Sequence, residues 1–364
     1  MSVRAAVVGL GWAGRELWLP RLRAHPDFDL VAVVDPDPAA RADVGAATGV
    51  PAHAGPDALD PRSVDLAVVA VPNHLHTTVA AGLLGRGVSV FLEKPVCLSG
   101  TEADTLAAAE RTGGLLLAGS AARHRADVLE LAATLPEVGK VRHVDLAWVR
   151  ARGVPRAGGW FTRRSEAGGG ALVDLGWHLV DTLTALLGPS PVHQAVGAVS
   201  DDFLNTGEWS AAWRRERPAA ALTGDVEDTA RGFLLREDGI SVSLHASWAS
   251  HEATDLSLIR IEGSTGTAEL RCTFGFSPNR QPESVLTLTR EGTTRRLPVP
   301  AEPVGAEYGR QLDGVPALLA DPAGRGRAIA EARTTVRLME RLYASARAGR
   351  DGPSEPVYQQ TTSR

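Results

Sequence analysis

Lysine is almost missing from this chain. Only two of its 38 basic residues, Lys94 and Lys140, are lysines. The arginine excess, with abundant Ala, Gly and Pro, fits GC-rich coding. Cysteine is equally scarce, with Cys97 and Cys272 alone, so no disulfide framework holds the fold. Such sparing use fits a reducing compartment, and a cytoplasmic location is expected. No apolar run approaches the ~20 residues of a membrane helix, so no membrane partner is expected. The first apolar stretch breaks at Gly9 and Gly11 and reads as a buried strand, not a signal peptide. With a net charge of -5 there is no basic excess, which argues against nucleic acid as a partner. What remains is 364 residues, 44% hydrophobic, enough for two domains with ordinary cores.

Short β-branched runs at Val3–Val8, Leu30–Val34, Leu66–Val71, Val88–Leu92 and Leu115–Ala118 alternate with helical stretches such as Thr77–Leu84 and Thr101–Arg111. Continuous apolar strands separated by helices predict a parallel sheet covered on both faces. Beyond residue 124 the pattern changes. A strongly apolar helix, Gly170–Leu187, precedes alternating stretches at Thr229–Arg236, Ile240–Ser247, Asp255–Ile261 and Val285–Arg290. Asp238-Gly239 and Glu291-Gly292 stand where hairpin turns would fall. The fold expected is α/β: an N-terminal domain over 1–122 built on this parallel sheet, then an α/β domain over 123–348 with a large, mostly antiparallel open sheet. A polar tail, 349–364, follows. The second domain is expected to bind substrate.

Gly9-Leu10-Gly11-Trp12-Ala13-Gly14 directly follows the first strand. Glycines at this spacing allow a tight turn, close approach of a pyrophosphate, and packing of the next helix on the sheet. That helix offers free N–H groups to phosphates. Asp35 ends the second strand, 21 residues beyond Gly14, where a carboxylate accepts bonds from ribose hydroxyls and repels a 2′-phosphate. NAD is therefore expected over NADP, with Gly9, Gly11, Trp12, Ala13, Gly14 and Asp35 at the cofactor. A helix-capping role for Asp35 is the competing reading.

The apolar helix carries one polar stripe. At 100° per residue, Asp174, His178 and Asp181 fall within about 60° of one another. Three readings compete: a satisfied buried pair, a metal site, and an acid–base dyad in which Asp174 raises the basicity of His178. No further ligand is evident for a metal, and none is expected. Spacing alone does not separate the other two. Lys94, in Phe91-Leu-Glu-Lys-Pro95, closes a strand at the edge where open parallel sheets bind ligands.

These segments together resemble the Gfo/Idh/MocA family of NAD(P)-dependent oxidoreductases, which act mainly on sugars, inositols and related polyols. The likeness rests on GLGWAG, the VVDPD of Val33–Asp37, and the VPNHLH of Val71–His76. It continues in FLEKP, GGGALVDLGWHLVD, the VEDTA of Val226–Ala230, Ser247-Trp248 and the IEGSTGTAEL of Ile261–Leu270. It implies a Rossmann domain followed by an α/β domain whose open sheet often forms oligomer contacts, hence a homo-oligomer, dimer or tetramer. It further implies that Lys94 orients the reacting hydroxyl and that His178 transfers the proton. Asp174 would hold the His178 tautomer, and Pro72, Asn73, His76 and Glu93 would lie along the cofactor pocket. The Lys94–Pro95 bond is often cis in the family. The substrate expected is a sugar, aminosugar or cyclitol, oxidised at a secondary hydroxyl with hydride passing to nicotinamide C4, or the matching ketone in reverse.

Second-domain residues expected at the substrate are Arg123, His124, Trp160, Arg163 and Trp177, beside Lys94, Asp174 and His178. The stretch Asp201–Asp228 reads as an insertion rich in acids: Asp201, Asp202, Glu208, Asp225, Glu227 and Asp228. Trp209, Trp213, Arg214, Arg215 and Arg217 are interspersed among them. Acids beside a polyol site would favour an amino-bearing substrate such as an aminosugar or aminoglycoside. Cys97 reads as a packed thiol. Two other classes stay open: glycoside cleavage through transient C3 oxidation and elimination, and a catalytically silent dinucleotide-binding regulator. Retention of both Lys94 and His178 weighs against the second.

Overall fold

A computed structural model of the chain describes residues 2–211 and 223–350. Strands β1 (Val3–Val8), β2 (Phe28–Val34), β3 (Ala52–His53), β4 (Leu66–Val69), β5 (Ser89–Leu92) and β6 (Leu116–Ala118) form one sheet in the order β3-β2-β1-β4-β5-β6. Every pairing in it is parallel. Helices cover both faces, so all four residues of β4 are buried and the strands read as unbroken apolar runs. The order reverses between β1 and β4, and the glycine loop lies at that switch point, where such sheets hold ligands.

The second sheet contains β7 (Val141–Val149), β8 (Val192–Ser200), β9 (Thr229–Arg236), β10 (Ser241–Ser247), β11 (Leu256–Gly263), β12 (Thr267–Cys272), β13 (Val285–Arg290) and β14 (Thr293–Leu297). Its order is β14-β13-β12-β11-β7-β10-β9-β8, antiparallel except where β7 and β10 run parallel. One face packs under helices; Val144, Leu146 and Trp148 of β7 and Ile259 and Ile261 of β11 are buried there. Glu291 and Gly292 both have positive φ, as the two-residue turn between β13 and β14 requires, and Gly239 has positive φ at the end of the three-residue loop between β9 and β10. Among the described residues no helix is long and apolar enough to cross a membrane.

One local expectation fails, and strand β8 was not anticipated. The apolar segment expected as one regular helix is wound as a wider π-helix over Leu172–Gly176 before the α-helix Trp177–Leu187. The wider turn removes the 100° spacing, and the polar stripe divides. Asp174 faces the first domain's Lys94, whereas Asp181 bonds Arg123 and Ser120. Strand β8 gave no clear sequence signal because Gly197 interrupts it; a Cβ there would lie 2.6 Å from the Leu342 carbonyl oxygen, so the C-terminal helix requires the gap.

Candidate active site

The glycine loop has the close packing that its spacing predicts. Gly9 has φ +95°, and a Cβ on Gly14 would stand 1.9 Å from the Gly9 carbonyl oxygen. A Cβ on Gly11 would meet open space, so that position faces outward. The helix Ala13–Trp18 begins immediately beyond, with its first N–H groups toward the loop. Asp35 accepts the Leu10 N–H at 2.7 Å and the Asp37 N–H at 2.8 Å, so it braces the loop as well as standing at the end of β2. Asp37, not Asp35, caps the next helix, through the Ala39 N–H at 2.9 Å. Trp12 is 46% exposed at the loop mouth, with its ring edge-on to Phe276 of the second domain.

The loops after β4 and β5 carry the remaining expected cofactor residues, several of them committed to structure. Glu93 joins the glycine-loop helix to the lysine turn. Its Oε1 accepts the Trp18 indole N–H at 2.7 Å, and its Oε2 accepts the Lys94 N–H at 3.0 Å. Burial raises its pKa. Pro72 opens the turn Asn73–Leu75. Asn73 is buried and donates to the Ala167 carbonyl at 2.9 Å, tying that turn to the second domain. His76 lies buried between the Pro95 and Val71 carbonyls, at 2.7 and 2.9 Å. Burial pushes it down to about 4, so the neutral ring donates to one of the two carbonyls. It acts as a brace, and its ring nitrogens are not free for a cofactor. The Lys94–Pro95 bond is cis.

Lys94 reaches across the domains. Its Nζ donates to Asp174 Oδ1 at 2.6 Å, with both side chains nearly buried, and lies 6.0 Å from the Phe161 ring centre. Asp174 Oδ2 accepts the Trp248 indole N–H at 2.9 Å and has Arg150 Nη1 at 3.9 Å. Both Asp174 carboxylate oxygens thus also serve Lys94 and Trp248, and the carboxylate charge raises the pKa of His178. The His178 ring rests against Trp148, centroids 5.4 Å apart. Burial, then the Lys94 ammonium, depress its pKa to about 3; Asp174 opposes the shift and Arg150 adds to it. The Asp174 carboxylate does raise the His178 pKa, as expected, but burial and the Lys94 ammonium outweigh it.

Other expected substrate contacts are not brought to this cluster. Arg123 is buried against Asp181, with Nε to Oδ2 at 3.0 Å, and against Glu331 at 2.9 Å. It serves as an interior ion pair. Trp177, 4% exposed, faces a cavity lined by Cys97, Leu98, Met339 and Tyr343. Arg163 is exposed and paired with Glu166, and burial lowers His124 to about 4. Trp160 does stand nearby, edge-on to the Phe161 that contacts Lys94 and Trp248. Burial raises the Cys97 thiol to about 12, which fits a packed thiol.

The acidic stretch also changes meaning. Asp225 accepts the Arg164 N–H, and Asp228 accepts the N–H groups of Phe203 and Leu204. Glu227 Oε1 takes three donors: Gly170 N–H at 2.9 Å, Leu172 N–H at 3.1 Å and the Tyr343 hydroxyl at 2.7 Å. A Cβ on Gly170 would lie 1.7 Å from the Glu227 carbonyl oxygen, so the glycines before Asp174 permit this close docking. These acids are not available to an amine. Asp201, Asp202 and Glu208 are exposed, and Trp213, Arg214, Arg215 and Arg217 lie outside the described residues.

Sequence reasoning missed Arg150, Trp148 and Phe161 at the site and did not connect Trp248 to Asp174. The register explains their convergence: β7 and β10 run parallel with Val149 opposite Ser247, so the next residues of both strands, Arg150 and Trp248, emerge together at Asp174.

Residues 3–119 match an oxidoreductase family with an NAD-binding Rossmann fold, and residues 136–269 match the GFO/IDH/MocA C-terminal domain. The chain belongs to the Gfo/Idh/MocA family. It is an oxidoreductase, and its first domain is an NAD(P)-binding Rossmann domain. A protein of Amycolatopsis mediterranei (strain S699), named for the oxidoreductase subunit of UDP-kanosamine synthase, is 66% identical over 359 residues. The match covers 99% of this chain and 100% of that one. A dTDP-3,4-didehydro-2,6-dideoxy-alpha-D-glucose 3-reductase of Streptomyces antibioticus is 32% identical over 201 residues, 54% of this chain and 60% of the relative. Among solved structures, GenD2 from gentamicin A biosynthesis, in complex with NAD, superposes with a TM-score of 0.73 at 27% identity. That match covers 96% of this chain and 95% of the other.

Proposed function

We propose that this protein is an NAD-dependent dehydrogenase that oxidises the C3 hydroxyl of a UDP-hexose to the ketone. Within the family, the observation that carries the reading is the Lys94–Asp174 pair beside His178, set at the edge of the parallel sheet next to the glycine loop. Identity of 66% over 99% of this chain to the relative named for UDP-kanosamine synthase supports the substrate class. Kanosamine is 3-amino-3-deoxyglucose, so an oxidoreductase serving its synthesis has C3 as its natural target. The 3-ketone would then pass to an enzyme that transfers an amino group.

The loop Gly9–Gly14 would hold the pyrophosphate of NAD, and Asp35 the adenosine ribose. When bound, the nicotinamide supplies the two-electron acceptor for the alcohol carbon. The protein's own part is electrostatic and acid–base. Lys94, held against Asp174, would donate to the reacting oxygen and stabilise its developing negative charge. The neutral His178 ring would accept the hydroxyl proton as the hydride leaves, while the Lys94 ammonium stabilises the negative charge that develops on the oxygen. Phe161 and Trp248 enclose Lys94 and Asp174 and limit water around the developing charge.

The test is NADH formation across UDP-glucose, other nucleotide sugars, free hexoses, aminosugars, inositols and aminoglycosides, with C3-deuterated UDP-glucose reporting regiochemistry. A primary isotope effect with UDP-glucose is expected. Preference for inositols or free sugars overturns the substrate, and release of the UDP group during turnover supports elimination chemistry instead.

A further inference from the structure

Beyond its catalytic end, the loop after β7 carries a second cluster with no part in the chemistry above. Arg150 touches Asp174, and two residues on, at most ~7 Å along the chain, the backbone of Arg152 bridges to Ala249, the neighbour of Trp248. The Arg152 guanidinium lies over the ring of Trp209, 4.5 Å from its centre. Trp209 in turn meets Phe203 and His251 edge-on, at 4.8 and 5.0 Å. Backbone bonds pin this arm in place: the Val154 N–H donates to the Trp209 carbonyl at 3.0 Å, and the Ala211 N–H to the Val154 carbonyl at 2.9 Å. The cluster is therefore anchored to the strand extensions that carry the Asp174 site.

Its chemistry is that of an anion and ring receptor. Arg152 is exposed and gives one bond, to the Glu208 carbonyl at 3.3 Å; among the described residues no carboxylate pairs with it. A guanidinium already stacked on an aromatic ring loses little further freedom on binding phosphate, and its planar fork matches phosphate oxygens. The half-buried Trp209 adds a π surface, which binds nucleobases with little regard to sequence. Arg156, half-buried on the same loop, likewise has no carboxylate partner among the described residues.

We propose that Arg152 and Trp209 form the subsite for the nucleoside diphosphate of the substrate, Arg152 on the phosphates and Trp209 against the base. This rests on the UDP-hexose reading above. With C3 of the sugar at Lys94, the diphosphate leaves from C1 on the other side of one ring carbon, toward the loop that runs from Arg150 to Arg152. The subsite selects nucleotide sugars over free sugars, a choice that the Lys94 cluster, contacting a single hydroxyl, does not make.

The experiment uses the full chain and measures two quantities: steady-state oxidation of UDP-glucose, and UDP binding to the NADH-loaded protein. Arg152→Gln and Trp209→Leu are each expected to raise the KM for UDP-glucose and the Kd for UDP by about ten- to a hundredfold, the worth of a charge-assisted bond or a stacked base. The kcat and the KM for NAD stay within a few-fold. Competition by glucose 1-phosphate weakens in Arg152→Gln and not in Trp209→Leu, which separates phosphate from base recognition. Arg152 is exposed and Trp209→Phe keeps a ring, so one variant of each pair tests binding without risk to folding. A wild-type protein that binds UDP and oxidises UDP-glucose, with variants that leave both constants within twofold, overturns this subsite alone. A wild-type protein that neither binds UDP nor oxidises UDP-glucose overturns the substrate reading and the subsite with it.

Discussion

The Lys94–Asp174 pair makes an asymmetric prediction about stability. At 2.6 Å and an effective dielectric of 20, the two charges attract by about 6 kcal/mol, and Arg150 at 3.9 Å adds about 4 kcal/mol to the field on the carboxylate. Most of that gross attraction offsets the cost of taking the ions out of water. Lys94→Met removes one cation, but Asp174 keeps the Trp248 N–H and the Arg150 guanidinium. Its loss is expected near the lower end for a broken buried pair, about 2–3 kcal/mol. Asp174→Asn leaves Lys94 and Arg150 together with no carboxylate between them, and should cost about 4–5 kcal/mol. The double variant should show a coupling of about 3 kcal/mol, because each partner's absence relieves the penalty of the other. Urea denaturation of the four proteins at neutral pH measures all three values. An Asp174→Asn no less stable than Lys94→Met, or a coupling under about 0.5 kcal/mol, would refute the claim that this is a desolvated ion pair. Both single variants should also lose at least about a hundredfold in kcat, with NADH affinity kept.

Three further outcomes follow from the same geometry. The pKa of His178 is about 3 in the fold against 6.5 in the open chain, so the unfolded state binds the proton that the folded ring refuses. Stability is then unaffected above pH 6.5 and falls as pH drops from 6.5 toward 3. Relative to His178→Gln, the wild type should lose about 2 kcal/mol between pH 7 and pH 5 in urea unfolding, and equal losses would mean a solvated ring. Gly14→Ala drives a Cβ to 1.9 Å from the Gly9 carbonyl oxygen, so NADH binding by fluorescence titration should vanish; retained binding would show that the loop yields. Arg123→Gln strands the buried Asp181 and should cost about 3 kcal/mol or more with kcat within a few-fold of wild type, whereas a large loss of kcat in the folded variant would place Arg123 at the substrate.

How far the site was legible depends on the range of the interaction involved. The glycine loop and Asp35 are set by contacts close along the chain or across two adjacent strands, and their spacing carries the chemistry directly. Lys94 is legible for a related reason, since any residue closing a strand of a parallel sheet stands at its binding edge. The partners of Asp174 are not of this kind. Lys94 and Trp248 lie 80 and 74 residues away, and Arg150 converges on it only because β7 and β10 are parallel in a sheet otherwise antiparallel. Periodicity placed Asp174 with His178 and Asp181 by assuming a regular helix, and the wider first turn invalidates that premise. Just before the wide turn, Gly169 and Gly170 admit Tyr343 and Glu227, contacts from distant parts of the chain that periodicity does not report.

The scarcity of lysine gains a physical reading in this light. Arg150 already supplies a guanidinium near Asp174, and a second one at position 94 would seek both carboxylate oxygens at once. It would then compete with the Trp248 indole for Oδ2 and turn the carboxylate away from its present setting. A single ammonium takes Oδ1 and the Asp174 carbonyl oxygen, at 3.4 Å, and keeps one further donor for a reacting hydroxyl. In a chain that otherwise writes its positive charge as arginine, position 94 is where the number and direction of donors matter more than charge. Lys140 accepts no such constraint: its backbone N–H bonds Ser264 at the turn before β7, and its side chain has no part in the site.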